Sequence, residues 1–217
     1  MRHLLAALGA AAALGAVAAG PPEPLAARVA PRAGRVEASL DLSAAFPAAT
    51  ERDFGNGLTN VVAIYVSVVP DGSRAPAALY GRVVEILFDV WEETYAVTVK
   101  DPRAPQGVHY VLPDFAALRR FLSEARGVDL GPVQALPGAP YHLEARVEVN
   151  PVSREQLQRT REYIANPAAG TRTSGGTRSV LGAVASFLLR EPDPGSDVHL
   201  FRSRSFAPGA AASGAGR

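Results

Sequence analysis

The sequence predicts a mainly β protein, or an α+β protein, built as an antiparallel β-sandwich with two or three short helices in the connections. Three observations support this class. Apolar and polar residues alternate over several short stretches, β-branched and aromatic residues concentrate there, and turn-forming residues separate the stretches. The regular alternation of strands and helices that a parallel sheet requires is missing.

The clearest strand pair lies in the stretch 79–100. In its first run, 83–90, apolar residues alternate with Glu85 and Asp89, and a second alternating run follows at 95–100. Two acidic residues, Glu92 and Glu93, separate the runs. The stretch therefore predicts a β-hairpin. Because the commonest Asn-Gly or Asp-Gly turn is absent, a turn longer than two residues stays open.

The remaining elements follow the same logic. Further strands are predicted at 36–42, 58–69, 109–112, 141–149 and 198–206, and a helix at 115–124. The strand at 58–69 is apolar on both faces near its middle, which indicates a central position in the sheet. The strand at 141–149 alternates most cleanly. We expect its polar residues to form a solvated face of charge pairs: His142, Glu144, Arg146 and Glu148.

The chain divides into four parts. Residues 1–19 have the basic start, apolar run and small-residue end of a secretory signal peptide, although an uncleaved anchor remains an alternative. Residues 20–34 are predicted to be an extended, Pro-rich lead-in, 35–206 a single β-rich domain, and 207–217 a disordered tail. We therefore expect a periplasmic or secreted location.

Composition excludes several classes of function. The chain has no cysteine, which removes disulfides, thiol nucleophiles and zinc-thiolate sites. The 22 basic and 21 acidic residues nearly cancel, and no run of basic residues could follow a phosphate backbone. We expect no nucleic-acid partner and no small-molecule cofactor.

A series of short motifs resembles a known family. They include the glycine-rich stretch 55–58 before a long strand, the hairpin 88–95, the helix start 115–118, the strand start 141–143 and the closing stretch 201–206. Over about 35–206 this series is similar to an uncharacterised family of exported bacterial proteins, the domain of unknown function 4390, often encoded near sensor-kinase genes. The resemblance implies an envelope location and a β-rich fold, and it implies no reaction.

One group of residues could support an enzyme. His142 and Glu144 lie two positions apart on a predicted strand and therefore on the same face. A metal would need a third ligand, from His109 or His199. A small metal-assisted or hydrolytic envelope enzyme using these residues is the alternative function.

The segment 180–189 is almost wholly apolar and is too short to span a bilayer. It is either a buried core element or a contact surface for an envelope protein or a membrane surface. The leading hypothesis is an exported, non-enzymatic module that binds through this segment. Its candidate contact residues are Val180, Leu181, Val184, Phe187, Leu188 and Leu189.

Overall fold

The computed structural model describes residues 21–138, 140–151 and 197–208, and this part of the chain contains nine strands and two short α-helices. The strands are β1 (Glu23–Arg32), β2 (Arg35–Asp41), β3 (Asn60–Pro70), β4 (Ala78–Asp89), β5 (Thr94–Asp101), β6 (Ala104–Leu112), β7 (Glu124–Pro132), β8 (Tyr141–Val149) and β9 (Asp197–Ser203). The helices are α1 (Glu51–Phe54) and α2 (Phe115–Ser123). Single turns of 3-10 helix lie at Ser43–Ala45, Ala48–Thr50 and Val133–Ala135.

All of these strands belong to one curled sheet, in the order β6-β5-β4-β3-β8-β9-β1-β2-β7. Neighbouring strands are antiparallel except β1 and β9, which run parallel from Glu23 opposite Phe201 to Leu25 opposite Ser203. The mainly β class with short helices is confirmed, and its strands form a single mixed sheet. Strand β3 lies between β4 and β8, as its two-sided apolar pattern predicted.

The curl brings the β7 end of the sheet against β4 and the β5–β6 turn. Arg103 in this turn places Nη2 2.9 Å from Oε1 of Glu37 on β2 and 3.3 Å from Oδ2 of Asp129 on β7. Arg82 on β4 donates a hydrogen bond from Nη2 to the carbonyl oxygen of Arg126 on β7, at 3.2 Å. We call this junction the seam. Among the described residues, polar side chains close the seam without strand pairing.

The core lies inside the curl. Every second residue of the central strands faces it, including Val62, Ile64, Val66, Ile86, Val97, Leu143 and Val147. One end is covered by the segment after β2, where Phe46 and Phe54 are fully buried, and by α2. The helix begins at a capping residue, since Oδ1 of Asp114 accepts a hydrogen bond from the backbone N–H of Ala117 at 2.7 Å.

The hairpin at 79–100 is confirmed. β4 and β5 pair from Val83 opposite Lys100 to Asp89 opposite Thr94, which gives a four-residue turn. The longer turn that the sequence left open is therefore the one that forms.

The structure corrects the expectation of an extended lead-in without strand pairing at 20–34. Most of it forms β1, which pairs with β2 and β9, so the β-rich domain begins near Glu23. A two-residue turn at Ala33 and Gly34, with φ of 50° and 77°, joins β1 to β2. This strand was not predicted from the sequence because it contains prolines, and proline usually argues against a paired strand. The structure places Pro24 and Pro31 near the two ends of β1.

Candidate functional site

Seven large hydrophobic side chains are exposed in the described part of the chain, and they concentrate at one side of the molecule. They are Leu58, Leu87, Val90, Trp91, Val108, Tyr110 and Val111. All of them lie on β4, on β6, in the β4–β5 turn or just before β3. Because single exposed apolar residues are ordinary and clusters are not, this concentration marks a candidate contact surface.

The β4–β5 turn presents Trp91. Oδ1 of Asp89 accepts hydrogen bonds from the backbone N–H groups of Trp91, at 2.9 Å, and of Glu92, at 3.1 Å. Glu93 adopts a positive φ of 53°, which returns the chain to β5. The backbone of the turn is therefore fixed from within. Trp91 as a residue is 90 % exposed.

Two neighbours extend this surface. The side chain of Val90 lies beside Gly57, where an added Cβ would come within 3.3 Å of Cγ1 of Val90. The next residue, Leu58, is 67 % exposed. We call Leu58, Val90 and Trp91 the apolar tip.

A second group lies on the outer face of the sheet, the face opposite the core. Leu87 on β4 is opposite Ala96 on β5, and Ala96 is opposite Val111 on β6. Directly opposed residues share a face, so the three form a continuous strip across three strands. All three are exposed, Val111 by 72 %. We call them the outer row.

Several carboxylates lie in the turn that carries the apolar tip or near Tyr95 on the following strand. Asp89, Glu92 and Glu93 belong to the turn itself. Glu51 and Asp114 lie close enough to Tyr95, the partner of Phe88, to act on its hydroxyl: burial raises the pKa of Tyr95, and these two negative charges raise it further. We call these five carboxylates the acidic rim. The surface thus combines exposed apolar side chains with a negative border.

The structure corrects the expectation that the polar face of β8 is solvated. His142, Arg146 and Glu148 are buried, His142 to 2 % exposure, and Glu144 is only partly exposed. Nε of Arg146 lies 2.6 Å from Oε1 of Glu148. The alternation placed these side chains on the correct face. Alternation could not show that the outer face of β8 is buried as well as its inner face. β8 is central, the fifth of nine strands in the order of the sheet.

His142 lies between two carboxylates. Its Nδ1 is 2.7 Å from Oδ1 of Asp71, and its Nε2 is 3.3 Å from Oε1 of Glu144. Oγ of Ser205 donates a hydrogen bond of 2.6 Å to Oδ2 of the same Asp71. Each ring nitrogen therefore faces a carboxylate, and the serine contacts the acid rather than the imidazole. A Ser-His-Asp triad requires the serine at the second ring nitrogen.

The structure does not bring the other two candidate histidines, His109 and His199, to His142. His109 on β6 lies on the outer face. Its row of directly opposed residues crosses β5 and β4 and ends at Val61 on β3. His142 on β8 is opposite Val69, further along β3. Val61 and Val69 are eight positions apart on β3, which corresponds to about 26 Å along the strand.

His199 is opposite Val147, whose side chain belongs to the core, so this histidine lies on the inner side of the sheet. Within the described ranges, no three His, Asp or Glu side chains form a group that could hold a metal ion. The proposed set of His142, Glu144 and either His109 or His199 is therefore not assembled.

A cavity of about 180 Å³ opens beside Glu144. It is lined by Pro22, Ser67, Glu144, Ala145, Arg146, Leu200 and Phe201. Pockets that hold drug-sized ligands have volumes of roughly 300–1,000 Å³, so this cavity is too small for such a molecule.

Several predicted features fall outside the described residues. These are the segment 180–189 with all six of its candidate contact residues, the signal peptide at 1–19, and the tail from residue 209 onward. Sequence analysis assigned no role to Trp91. The indication available was the single tryptophan of the chain lying directly before the acidic dipeptide of a turn.

Comparison with protein-family models, with curated proteins and with solved structures found no match for this chain. The similarity to the exported family of unknown function stays a prediction. Among the helices in the described ranges, none has the length and apolar character needed to cross a membrane.

Proposed function

We propose that this chain is an exported, non-enzymatic binding module that docks on another protein through the apolar tip and the outer row. The observation that carries the proposal is Trp91, a residue that is 90 % exposed on a hydrogen-bonded turn. Leaving so large an apolar group in water forgoes stabilisation, at about 25 cal/mol per Å² of apolar surface. A binding partner that buried this side chain would recover that free energy.

The fixed turn favours binding. A contact residue on a rigid element loses little conformational freedom when the complex forms, so more of its burial energy contributes to affinity. Tryptophan is also among the residues most enriched at the energetic centres of protein interfaces. Trp91, with Val90 and Leu58 beside it, has the composition of such a centre.

The acidic rim indicates the chemistry of the partner. Complementary charge across an interface speeds association and selects partners. A protein with an apolar pocket bordered by Arg or Lys would match this surface. A membrane would not, because anionic headgroups repel carboxylates.

The segment 180–189 was the contact expected from sequence, and it lies outside the described residues. The proposal does not depend on that segment. Its support is the cluster on β4, β6 and the β4–β5 turn.

Trp91 offers a direct test because the chain contains no other tryptophan. A photo-crosslinking amino acid placed at position 91 in the native host should form a covalent adduct with one protein, and the same amino acid at the exposed position Ala27 on β1 should not. With that protein purified, the fluorescence of Trp91 should shift to shorter wavelength on binding. Trp91→Ala should weaken binding by about 30-fold or more, since such residues contribute at least about 2 kcal/mol.

The charge argument has its own variant. Glu92→Lys together with Glu93→Lys should slow association with the same partner, and added salt should slow the wild type in the same way. Two outcomes would overturn the proposal. One is equal crosslinking from positions 91 and 27. The other is a blue shift of Trp91 with phospholipid vesicles and none with the crosslinked protein, which would assign the surface to a membrane.

A further inference from the structure

The outer face of the sheet is buried at its centre and exposed towards β6. Four buried apolar side chains do not belong to the core inside the curl: Ala63, Tyr65, Val69 and Val83. Ala63 on β3 is directly opposite Val83 on β4 and Glu148 on β8, and all three are almost completely shielded from water. On the same face, Ala96 in the outer row is exposed. The curl of the sheet therefore does not by itself bury its outer face.

Two charged residues extend this buried area. Tyr65 is directly opposite Arg146 on β8, and Nε of Arg146 lies 2.6 Å from Oε1 of Glu148. The side chains of this ion pair are only 5 % and 2 % exposed. A charged pair on the outside of a sheet is shielded from water in this way only when a further layer of chain lies over it. We call Ala63, Tyr65, Val83, Arg146 and Glu148 the outer patch.

The described helices do not supply this layer. The apolar residues that these helices and the 3-10 turns bury all belong to the core inside the curl: Ala45, Phe54, Leu118 and Leu122. The exposures of the outer patch are those of one chain. The layer over the patch therefore comes from the same chain.

We propose that the segment 152–196 packs on the outer patch through its apolar run 180–189. The segment follows β8 and precedes β9, and Val149 of β8 lies directly opposite Asp197 of β9. Glu148 of the outer patch is the neighbour of Val149. The segment therefore begins and ends beside the patch. A hairpin between two such strands needs only about 2–5 residues, so a segment of this length has ample chain to reach across β3 and β4.

The composition of the run suits this position. Apart from Gly182 and Ser186, every residue in 180–189 is apolar, and the run ends with Phe187, Leu188 and Leu189. The small side chains of Ala63 and Val83 leave room above the sheet for large side chains of this kind, and their burial would stabilise the fold.

The other ranges outside the described residues fit less well. Residues 209–217 contain no apolar residue larger than alanine. The apolar run within 1–19 has the pattern of a signal peptide, which is removed on export. The segment 152–196 is the apolar range that the exported protein would keep. This assignment places 180–189 inside the module and leaves the apolar tip and the outer row as its contact surface.

The absence of cysteine makes the contact testable by disulfide formation. Ala63→Cys puts a thiol on the outer patch, and Ala96→Cys puts one on the exposed part of the same face as the matched control. Each is combined with cysteine in place of one residue of the run at a time: Val180, Leu181, Val184, Phe187, Leu188 or Leu189. A disulfide requires Cα atoms within about 7 Å of each other. After mild oxidation, we expect Ala63→Cys to form an intramolecular disulfide with at least one of these positions, and Ala96→Cys with none.

Thiol labelling supplies a second measurement. With no other change in the chain, Ala63→Cys should react with a water-soluble maleimide at least about 10-fold more slowly than Ala96→Cys, because labelling requires local opening. Phe187→Asp together with Leu188→Asp should remove this protection. Thr173→Asp together with Thr177→Asp, in the polar stretch before the run, should preserve it. Ala145→Cys, on the core face of β8, should stay protected in both backgrounds.

Both measurements are made on the full chain and on the chain without 1–19. Equal disulfide yields from Ala63→Cys and Ala96→Cys would overturn the proposal, as would the absence of any disulfide from Ala63→Cys. Protection of Ala63→Cys that disappears when 1–19 is removed would also overturn it, because the layer over the patch would then be the N-terminal range.

Discussion

At the scale of single residues, Asp71 connects three parts of the chain. It follows β3, and its carboxylate contacts His142 on β8 and Ser205 near the end of the described chain. The hydrogen bond from Ser205 is the main cause that lowers the pKa of Asp71. The hydrogen bond with His142 and the charges of His142 and Arg202 lower it further, against a smaller opposing effect of burial.

The lowered pKa of Asp71 predicts a pH dependence of stability. A carboxyl whose pKa is lower in the folded state stabilises the fold above its unfolded pKa, and this contribution is lost as pH falls through the folded pKa. Asp71→Asn should therefore be less stable than the wild type at neutral pH, and the difference should disappear in acid. Urea midpoints between about pH 2 and pH 7 measure this. Asp53→Asn, at an exposed position on α1, is the control and should keep the wild-type profile. A constant difference at every pH would contradict the role of the charge.

The sequence predicted correctly which side of a strand each residue lies on, but it did not predict whether that residue is buried. The alternation in β8 placed His142, Glu144, Arg146 and Glu148 on the correct side of the strand. Their burial depends on what covers that side, and alternation carries no information on this. The exposure of Trp91 was missed for a related reason, because tryptophan is usually at least partly buried and a local pattern cannot show an exception.

At the scale of elements, α2 illustrates how local sequence determines structure. Its apolar residues recur at helical spacing, Leu118 and Leu122 are buried, and Nε of Arg119 donates a hydrogen bond to the carbonyl oxygen of Phe46 at 2.7 Å. The capping contact from Asp114 satisfies one of the backbone N–H groups that the first turn cannot pair internally.

This capping contact predicts the effect of two substitutions. Asp114→Ala should lower the free energy of unfolding by about 1 kcal/mol, within the 0.5–2 kcal/mol typical of lost caps. Asp114→Asn keeps an oxygen acceptor at the same place and should retain most of the stability. Chemical denaturation of both variants measures the difference. If Asn were as damaging as Ala, the charge and not the hydrogen bond would be responsible.

The elements that sequence analysis predicted share a strong local pattern. β5 and β8 alternate without interruption, β4 is rich in β-branched and aromatic residues, and α2 shows helical periodicity. β7 was not predicted, although Ala125, Val128 and Leu130 are all buried. Their two-residue spacing is interrupted by one extra residue between Ala125 and Val128. The bulged pairing with β2 breaks the two-residue period, so the pattern is clear only once the partner strand is known.

At the scale of the whole molecule, the curl of the sheet decides which residues meet. The seam joins Arg103 to Glu37, which are 66 positions apart in the chain. Nothing in either local sequence indicates the other, since ion pairs between distant elements follow from topology. The mainly β class could therefore be predicted, whereas the strand order, the seam and the neighbours of each histidine could not.

The seam leads to a prediction about local opening. Side-chain ion pairs that are partly exposed, as those of Arg103 are at 47 % exposure, contribute about 0–1 kcal/mol each. Arg103→Met keeps the apolar stem and removes the charge, so the global unfolding midpoint should change little. In the described part of the chain, however, β7 has backbone pairing with β2 alone, and side chains of the seam hold its other edge. Loss of Arg103 should allow β7 to open more often while β3 and β8 stay closed.

Hydrogen exchange resolved by peptide measures this difference. Exchange should accelerate in peptides covering β7 and remain at the wild-type rate in those covering β3 and β8. The matched control is Lys100→Met, because Nζ of Lys100 pairs with Oε2 of Glu85 at 3.0 Å within the β4–β5 hairpin and does not cross the seam. The control should leave the exchange of β7 unchanged. Equal acceleration of β7 in both variants would show that the opening reflects a general loss of charge pairing. Acceleration only in Arg103→Met would mean that the two ion pairs of Arg103 help to keep β7 closed along the edge where, in the described part of the chain, its backbone has no partner strand.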